Sequence, residues 1–283
     1  MNRFHYLKTS SILLLLLATF SFSSCDDDDN EFTRIAVTDT SVDPIFLVTL
    51  YGVSTADEKG DLQTYVTSIK NILSDYEGAY VYSPIENQGT LDNDSSPALV
   101  TSFPGDYLTL IQFQNQAYLN AFLQDQEQQE VRNTWQGTID VQSRFSAVEQ
   151  LLPDGTPQSP IIHQEDLQED PPAREDGPLF SLVGISFSAN PSEQMLLNSF
   201  LEEGFPLLFQ AGLFFTGSFF KVADIDGSFN YDALNFAIYT DSNAFFEVHN
   251  NDPFRQLAND LRNPALTAFA ENQGRINIEI IIE

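Results

Sequence analysis

Cysteine is almost missing: the 283 residues contain one, Cys25. That excludes an internal disulfide framework and a zinc site built on cysteine pairs. Cations are scarce as well. Twelve Lys and Arg stand against 41 Asp and Glu, for a net charge of −29. Nucleic-acid binding needs cations opposite phosphates, and electrostatic docking on anionic lipid needs them too, so the balance argues against both. No apolar run reaches the ~18 residues of a spanning helix. Histidine occurs only three times. No Gly-rich phosphate loop, Gly-x-Ser-x-Gly or His-Glu-x-x-His is present. A core, by contrast, is well supplied. Hydrophobic residues make up 42% and aromatics 12%, which rules out wholesale disorder. Residues 180–269 hold 15 of the 24 phenylalanines. Core packing is their first use, and lining a pocket for an apolar ligand is the second.

The N-terminus reads as an address. Arg3 and Lys8 precede an apolar stretch from Ile12 to Ala18, and Ser23 and Ser24 lead to Cys25. This is the pattern of a secretory signal. Its end resembles a bacterial lipoprotein signal, in which the cysteine is lipidated and becomes the mature N-terminus. The resemblance implies a signal peptide over 1–24 and lipid attachment at Cys25. More than one hydrocarbon chain suffices for stable anchoring. Asp26 to Asp29 then repel one another and stay solvated, so 25–43 is expected to be an acidic tether. The acidic run also resembles the surface-export signal of some Gram-negative lipoproteins. A plain soluble stalk is the equal alternative.

Residues 153–177 concentrate proline and acidic side chains and read as a linker. The flanking segments, 44–152 and 178–283, look like copies. Each opens with a strand, Ile45 to Tyr51 and Phe180 to Phe187. A helix follows each. In the first, Leu62, Tyr65, Val66, Ile69, Ile72, Leu73 and Tyr76 share one face. In the second, Pro191 and Ser192 begin the helix, and Gly204 with Pro206 should kink or break it. Gly78 and Gly212 stand where helices end. Ala79 to Tyr82 and Leu213 to Phe220 read as second strands. Phe103-Pro-Gly-Asp106-Tyr-Leu108 matches Phe229-Asn-Tyr-Asp232-Ala-Leu234 and opens a third strand in each copy. Helices are expected over Asn115 to Trp135 and Ser242 to Ala258. Closing strands are expected over Arg144 to Leu151 and Arg275 to Ile282. The order is β-α-β-β-α-β, the ferredoxin-like one. Aromatics at both parities of 213–220 require cover on both sheet faces.

With these elements in place, the sequence resembles the dimeric α/β-barrel superfamily of ferredoxin-like domains. The likeness covers both segments. It implies an α+β fold: two ferredoxin-like βαββαβ repeats packed sheet to sheet as an intramolecular α/β barrel. The superfamily includes cofactor-free monooxygenases, haem enzymes, muconolactone-type isomerases and ligand binders, so the fold does not choose a function.

Candidate chemistry is sparse. His5 lies in the signal and His163 in the linker. His249, between Glu247 and Asp252, could serve as a base or haem ligand. Its polar neighbours instead predict an exposed histidine that binds neither haem nor metal. Asp224-x-Asp226-x-Ser228-x-Asn230-x-Asp232 places oxygens at alternate positions, as calcium would want. Gly227 comes too early for an EF-hand loop and Asn235 stands at its twelfth position, so ordinary turn chemistry is the preferred account. The expectation is therefore a lipoprotein held at the outer membrane by its lipid, facing periplasm or exterior. It would bind a small or extended ligand without catalysis, with no cofactor, no metal and no catalytic residue. The alternatives are a cofactor-free monooxygenase- or isomerase-like enzyme and a structural or adhesive surface module.

Overall fold

The strand Ile45–Gly52 (β1) has seven consecutive buried side chains. Neighbouring strand residues point to opposite faces, so this strand is covered on both sides. In the computed structural model, described over residues 34–52, 55–73, 75–76, 80–86, 100–102, 107–149, 179–210, 212–239, 250–275 and 280–281, helices supply only one of those covers. Ile45, Leu47 and Tyr51 join a core with helix Ala56–Leu73 (α1). Phe46, Val48 and Leu50 are buried on the opposite face.

The first half continues with Tyr80–Glu86 (β2), Val100–Ser102 (β3), Tyr107–Phe113 (β4), helices Gln116–Gln124 (α2) and Gln126–Trp135 (α3), and Asp140–Glu149 (β5). The second contains Leu179–Phe187 (β6), helix Pro191–Gln210 (α4), Leu213–Gly227 (β7) and Ala233–Tyr239 (β8). Helix Asp252–Leu257 (α5), a π-helical turn Ala258–Arg262, a 3-10 turn Asn263–Ala265, Leu266–Arg275 (β9) and Ile280–Ile281 (β10) complete it. The architecture is α+β. All strands join one sheet in the order β10-β2-β4-β1-β5-β7-β8-β6-β9-β3. Among the described residues every strand pairing is antiparallel except β3 with β9. Two separate sheets facing each other were expected; instead the halves are hydrogen-bonded edge to edge through β5 and β7. Their inner aromatics meet across this seam, Phe46 with Phe219 at 4.8 Å and Phe145 stacked on Phe229 at 4.3 Å.

Several elements differ from the sequence expectation for identifiable reasons. The helix expected over 115–135 is divided at Asp125, whose backbone is extended. Its fully buried carboxylate accepts from Gln128 N and from the Tyr76 hydroxyl, so it caps α3 instead of continuing α2. Helix α4 runs through Pro206. Pro206 is exposed, so water can reach a carbonyl that it leaves unbonded. Gly204 is buried against the Phe200 ring, where a Cβ would lie 3.1 Å from it, so packing explains this glycine. The closing strand begins at Leu266, earlier than expected, and β3 was not foreseen. Gly212 ends α4 with φ 99°. Gly78 and Asp106 lie outside the described residues.

Residues 34–43, placed in the tether, lie along the first half. The Asn115 side chain donates to the carbonyls of Asp39 and Ser41, and Asp43 N donates to Gln114 O. Arg34 donates to Asp75 at 2.6 Å, to both oxygens of Asp125 at 3.2 Å, and to Glu127 at 2.5 Å. One guanidinium thus clamps the end of α1 to the junction between α2 and α3.

Candidate functional site

Register builds the site. Thr109 on β4 faces Thr49 on β1, Thr49 faces Arg144 on β5, and Arg144 faces Asp226 on β7. Cross-strand partners share a face. The four form one polar row across four strands, on the side covered by α1 and α2. Thr49, Thr109 and Arg144 are each at most 3% exposed. Two phenols complete the cluster. Tyr65 comes down from α1 and accepts from Arg144 Nη2 at 3.3 Å. Tyr51 shares a hydrogen bond with Thr109 Oγ1 at 3.1 Å.

Between the row and the helices lies a cavity lined by these residues and by Val66, Ile69, Ile111 and Phe122. Its volume is about 10 Å³, the room that one water needs. Arg144 is not fully paired. Its Nε and Nη1 are buried without a hydrogen-bond partner. Asp226 Oδ2 is 3.7 Å from Arg144 Nη1 and 2.8 Å from Arg132 Nη2. The second contact is an ion pair, yet the oxygen is out of line for a hydrogen bond. Burial, with Tyr65 close by, pushes the Tyr51 phenol well above its ordinary range, and Arg144 opposes this only in part. Tyr51 therefore stays protonated at neutral pH and acts as a hydrogen-bond donor, not as a base. The cluster offers donors and one buried cation. Chemically it can hold negative charge that develops on a bound molecule.

The residues singled out from the sequence are not the ones gathered here. Cys25, His249, His5 and His163 lie outside the described residues. In the acidic run from Asp224 to Asp232, Asp224 accepts from Phe229 N and pairs with Lys221, while Asp226 pairs with arginines. Asp232 accepts from Phe187 N. These carboxylates are engaged within the protein. The sequence reading missed Tyr51, Tyr65, Thr49, Thr109 and Arg144. The available signal was parity: Thr49, Tyr51 and Arg144 break the apolar pattern on faces that must be buried.

No protein-family model and no curated protein sequence matches the chain. Solved structures do. An anthrone oxidase-like protein superposes with a TM-score of 0.55 at 14% identity, over 85% of this chain and 94% of the other. A protein of Fusobacterium nucleatum subsp. nucleatum, provisionally named a monooxygenase, superposes with a TM-score of 0.52 at 10% identity, over 85% and 95%. The likeness is one of fold: the chain shares the α+β architecture of these structures. The expectation of a non-catalytic ligand-binding protein is corrected at this point. The proteins it superposes on carry the names of an oxidase-like protein and a monooxygenase, not of ligand carriers.

Proposed function

We propose that the protein is a cofactor-independent oxygenase-type enzyme, acting on a readily deprotonated aromatic ketone or phenol of the anthrone class. The observation that carries this reading is Arg144, a buried cation with two unpaired N–H groups, set among the hydroxyls of Tyr51, Tyr65 and Thr109. Arg144 and Tyr65 hold the anionic oxygen of the deprotonated substrate. The anion itself is the reductant, and dioxygen is the oxidant. A methylene becomes a carbonyl, one oxygen atom enters the product, and the other leaves as water with the two hydrogens. The cavity takes only a water-sized group, so admission of the rings requires α1 or α2 to lift from the sheet.

The finer architecture is part of the same proposal. In each half the strands neighbour one another alike, β2-β4-β1-β5 and β7-β8-β6-β9. The C-terminal β10 pairs with β2 on the far edge of the first half. These features support a tandem pair of ferredoxin-like repeats closing a barrel within one chain. The signal-like N-terminus supports an enzyme anchored through Cys25 to the outer membrane. Among the described residues no helix is long and apolar enough to cross a membrane.

The test is dioxygen uptake with a hydroxylated anthrone. Catalysed uptake, with label from dioxygen in the ketone product, is expected. Arg144→Met should slow it about 100-fold, as for loss of a donor to a developing anion. Uptake no faster than autoxidation in buffer would refute the reading.

A further inference from the structure

We infer that the cavity beside Arg144 is a binding site for one small monovalent anion of about chloride size. This rests on the geometry of the cluster and not on the oxygenase reading. Arg144 is 3% exposed, and only Nη2 has a hydrogen-bond acceptor, the Tyr65 hydroxyl. A buried donor without a partner costs about 1–3 kcal/mol, and more when charged. The nearest carboxylate, Asp226, stands 3.7 Å from Nη1 and is shared with Arg132. Two guanidinium groups therefore share one carboxylate, and the cluster keeps a positive charge.

The cavity walls select the ligand. They carry four hydroxyl groups, of Tyr51, Tyr65, Thr49 and Thr109, and no carboxylate. Arg144 donates to the Tyr65 oxygen, so the Tyr65 hydrogen remains free to point at an anion. A water could satisfy N–H groups but would leave the charge uncompensated, which is the costly part of burying a cation. Volume sets the upper limit. About 10 Å³ holds a single-atom ion after slight adjustment and excludes sulfate or phosphate. The net charge of −29 disfavours loose anion binding elsewhere, so a halide-specific response reports this site.

The experiment uses the full chain in chloride-free gluconate buffer, with bromide or chloride added at constant ionic strength. The unfolding temperature should rise with the logarithm of either halide's concentration above its Kd and stay unchanged with sulfate. Arg144→Met should abolish the response, and Lys221→Gln, outside the cavity lining, should keep it. Anomalous scattering from bromide-soaked crystals provides a readout that needs no variant. A bromide peak within hydrogen-bond distance of Arg144 is expected. A water in the cavity with no bromide peak, or an equal response to sulfate, overturns the inference.

Discussion

Arg34→Ala should cost more than a surface position suggests. The guanidinium is 27% exposed, and two of its partners, Asp75 and Glu127, are 44% and 31% exposed. Pairs of that kind contribute about 0–1 kcal/mol each. Asp125 is different, because its side chain is fully buried. Breaking a buried pair costs about 3–5 kcal/mol, since the remaining charge is left in the interior. Here Asp125 keeps two other donors, the Tyr76 hydroxyl at 2.7 Å and Gln128 N at 3.0 Å. That places the loss at or somewhat below the lower end of this range, and the exposed pairs add little. The expected destabilisation is therefore about 2–3 kcal/mol. For a unit of this size it lowers Tm by roughly 4–12 °C. Asp125→Asn keeps an oxygen for the cap and removes the charge, so Arg34→Ala made in that background should cost less. Urea unfolding of the two single variants and the double variant measures the coupling. A coupling below about 0.5 kcal/mol would show that Arg34 is not the counter-charge of Asp125. The clamp also restrains α1 against α2, and Tyr76 and Phe122 touch edge to face beneath it at 5.8 Å. The same variant should therefore admit larger molecules to the Arg144 cavity.

Alkaline pH tests the two buried phenols. Burial raises both Tyr51 and Tyr76 above 10, with Asp125 adding to the shift at Tyr76. The folded state then holds protons that the unfolded chain loses, so their contribution is intact below pH ~10 and falls as pH rises through the folded values. Urea midpoints should drop across that window, less steeply in Tyr51→Phe and Tyr76→Phe; an unchanged slope would contradict the assignment. Gly227→Ala should destabilise by about 1–3 kcal/mol, because φ is 65° and the new Cβ would lie 2.6 Å from Gln142 O; a variant with wild-type Tm would contradict this. Cys25→Ser should move the protein from the membrane fraction to the soluble fraction, and retention in membranes would remove the lipid anchor from the proposal.

The first helix was legible because its face repeats every three or four residues. Leu62, Tyr65, Val66, Ile69, Ile72, Leu73 and Tyr76 are all buried as that spacing requires. Each fully buried apolar side chain contributes about 1.5–3 kcal/mol, enough to impose its pattern on the sequence. The break at Asp125 was not legible. Its cause is tertiary: Arg34 and Tyr76 lie 91 and 49 residues away along the chain. Nor was the candidate site, for the same reason. Arg144 was placed at the start of a strand, but no local pattern gives the register that sets it between Thr49 and Asp226. Acidic turn residues stood out in the sequence because they cluster. They prove to be occupied by backbone N–H groups, lysine and arginine nearby.

The polar row has a consequence for the chain as a whole. Thr109, Thr49 and Arg144 belong to the first half, whereas Asp226 comes from the second. Ile225, beside it, packs into the core formed by α1 and α2. The Ser146 hydroxyl donates to Ala223 O across the same seam. A first half alone would hold Arg144 without that carboxylate. The seam between β5 and β7 therefore does more than extend a sheet. It brings to the cavity the carboxylate that Arg144 shares with Arg132, so the site depends on both halves.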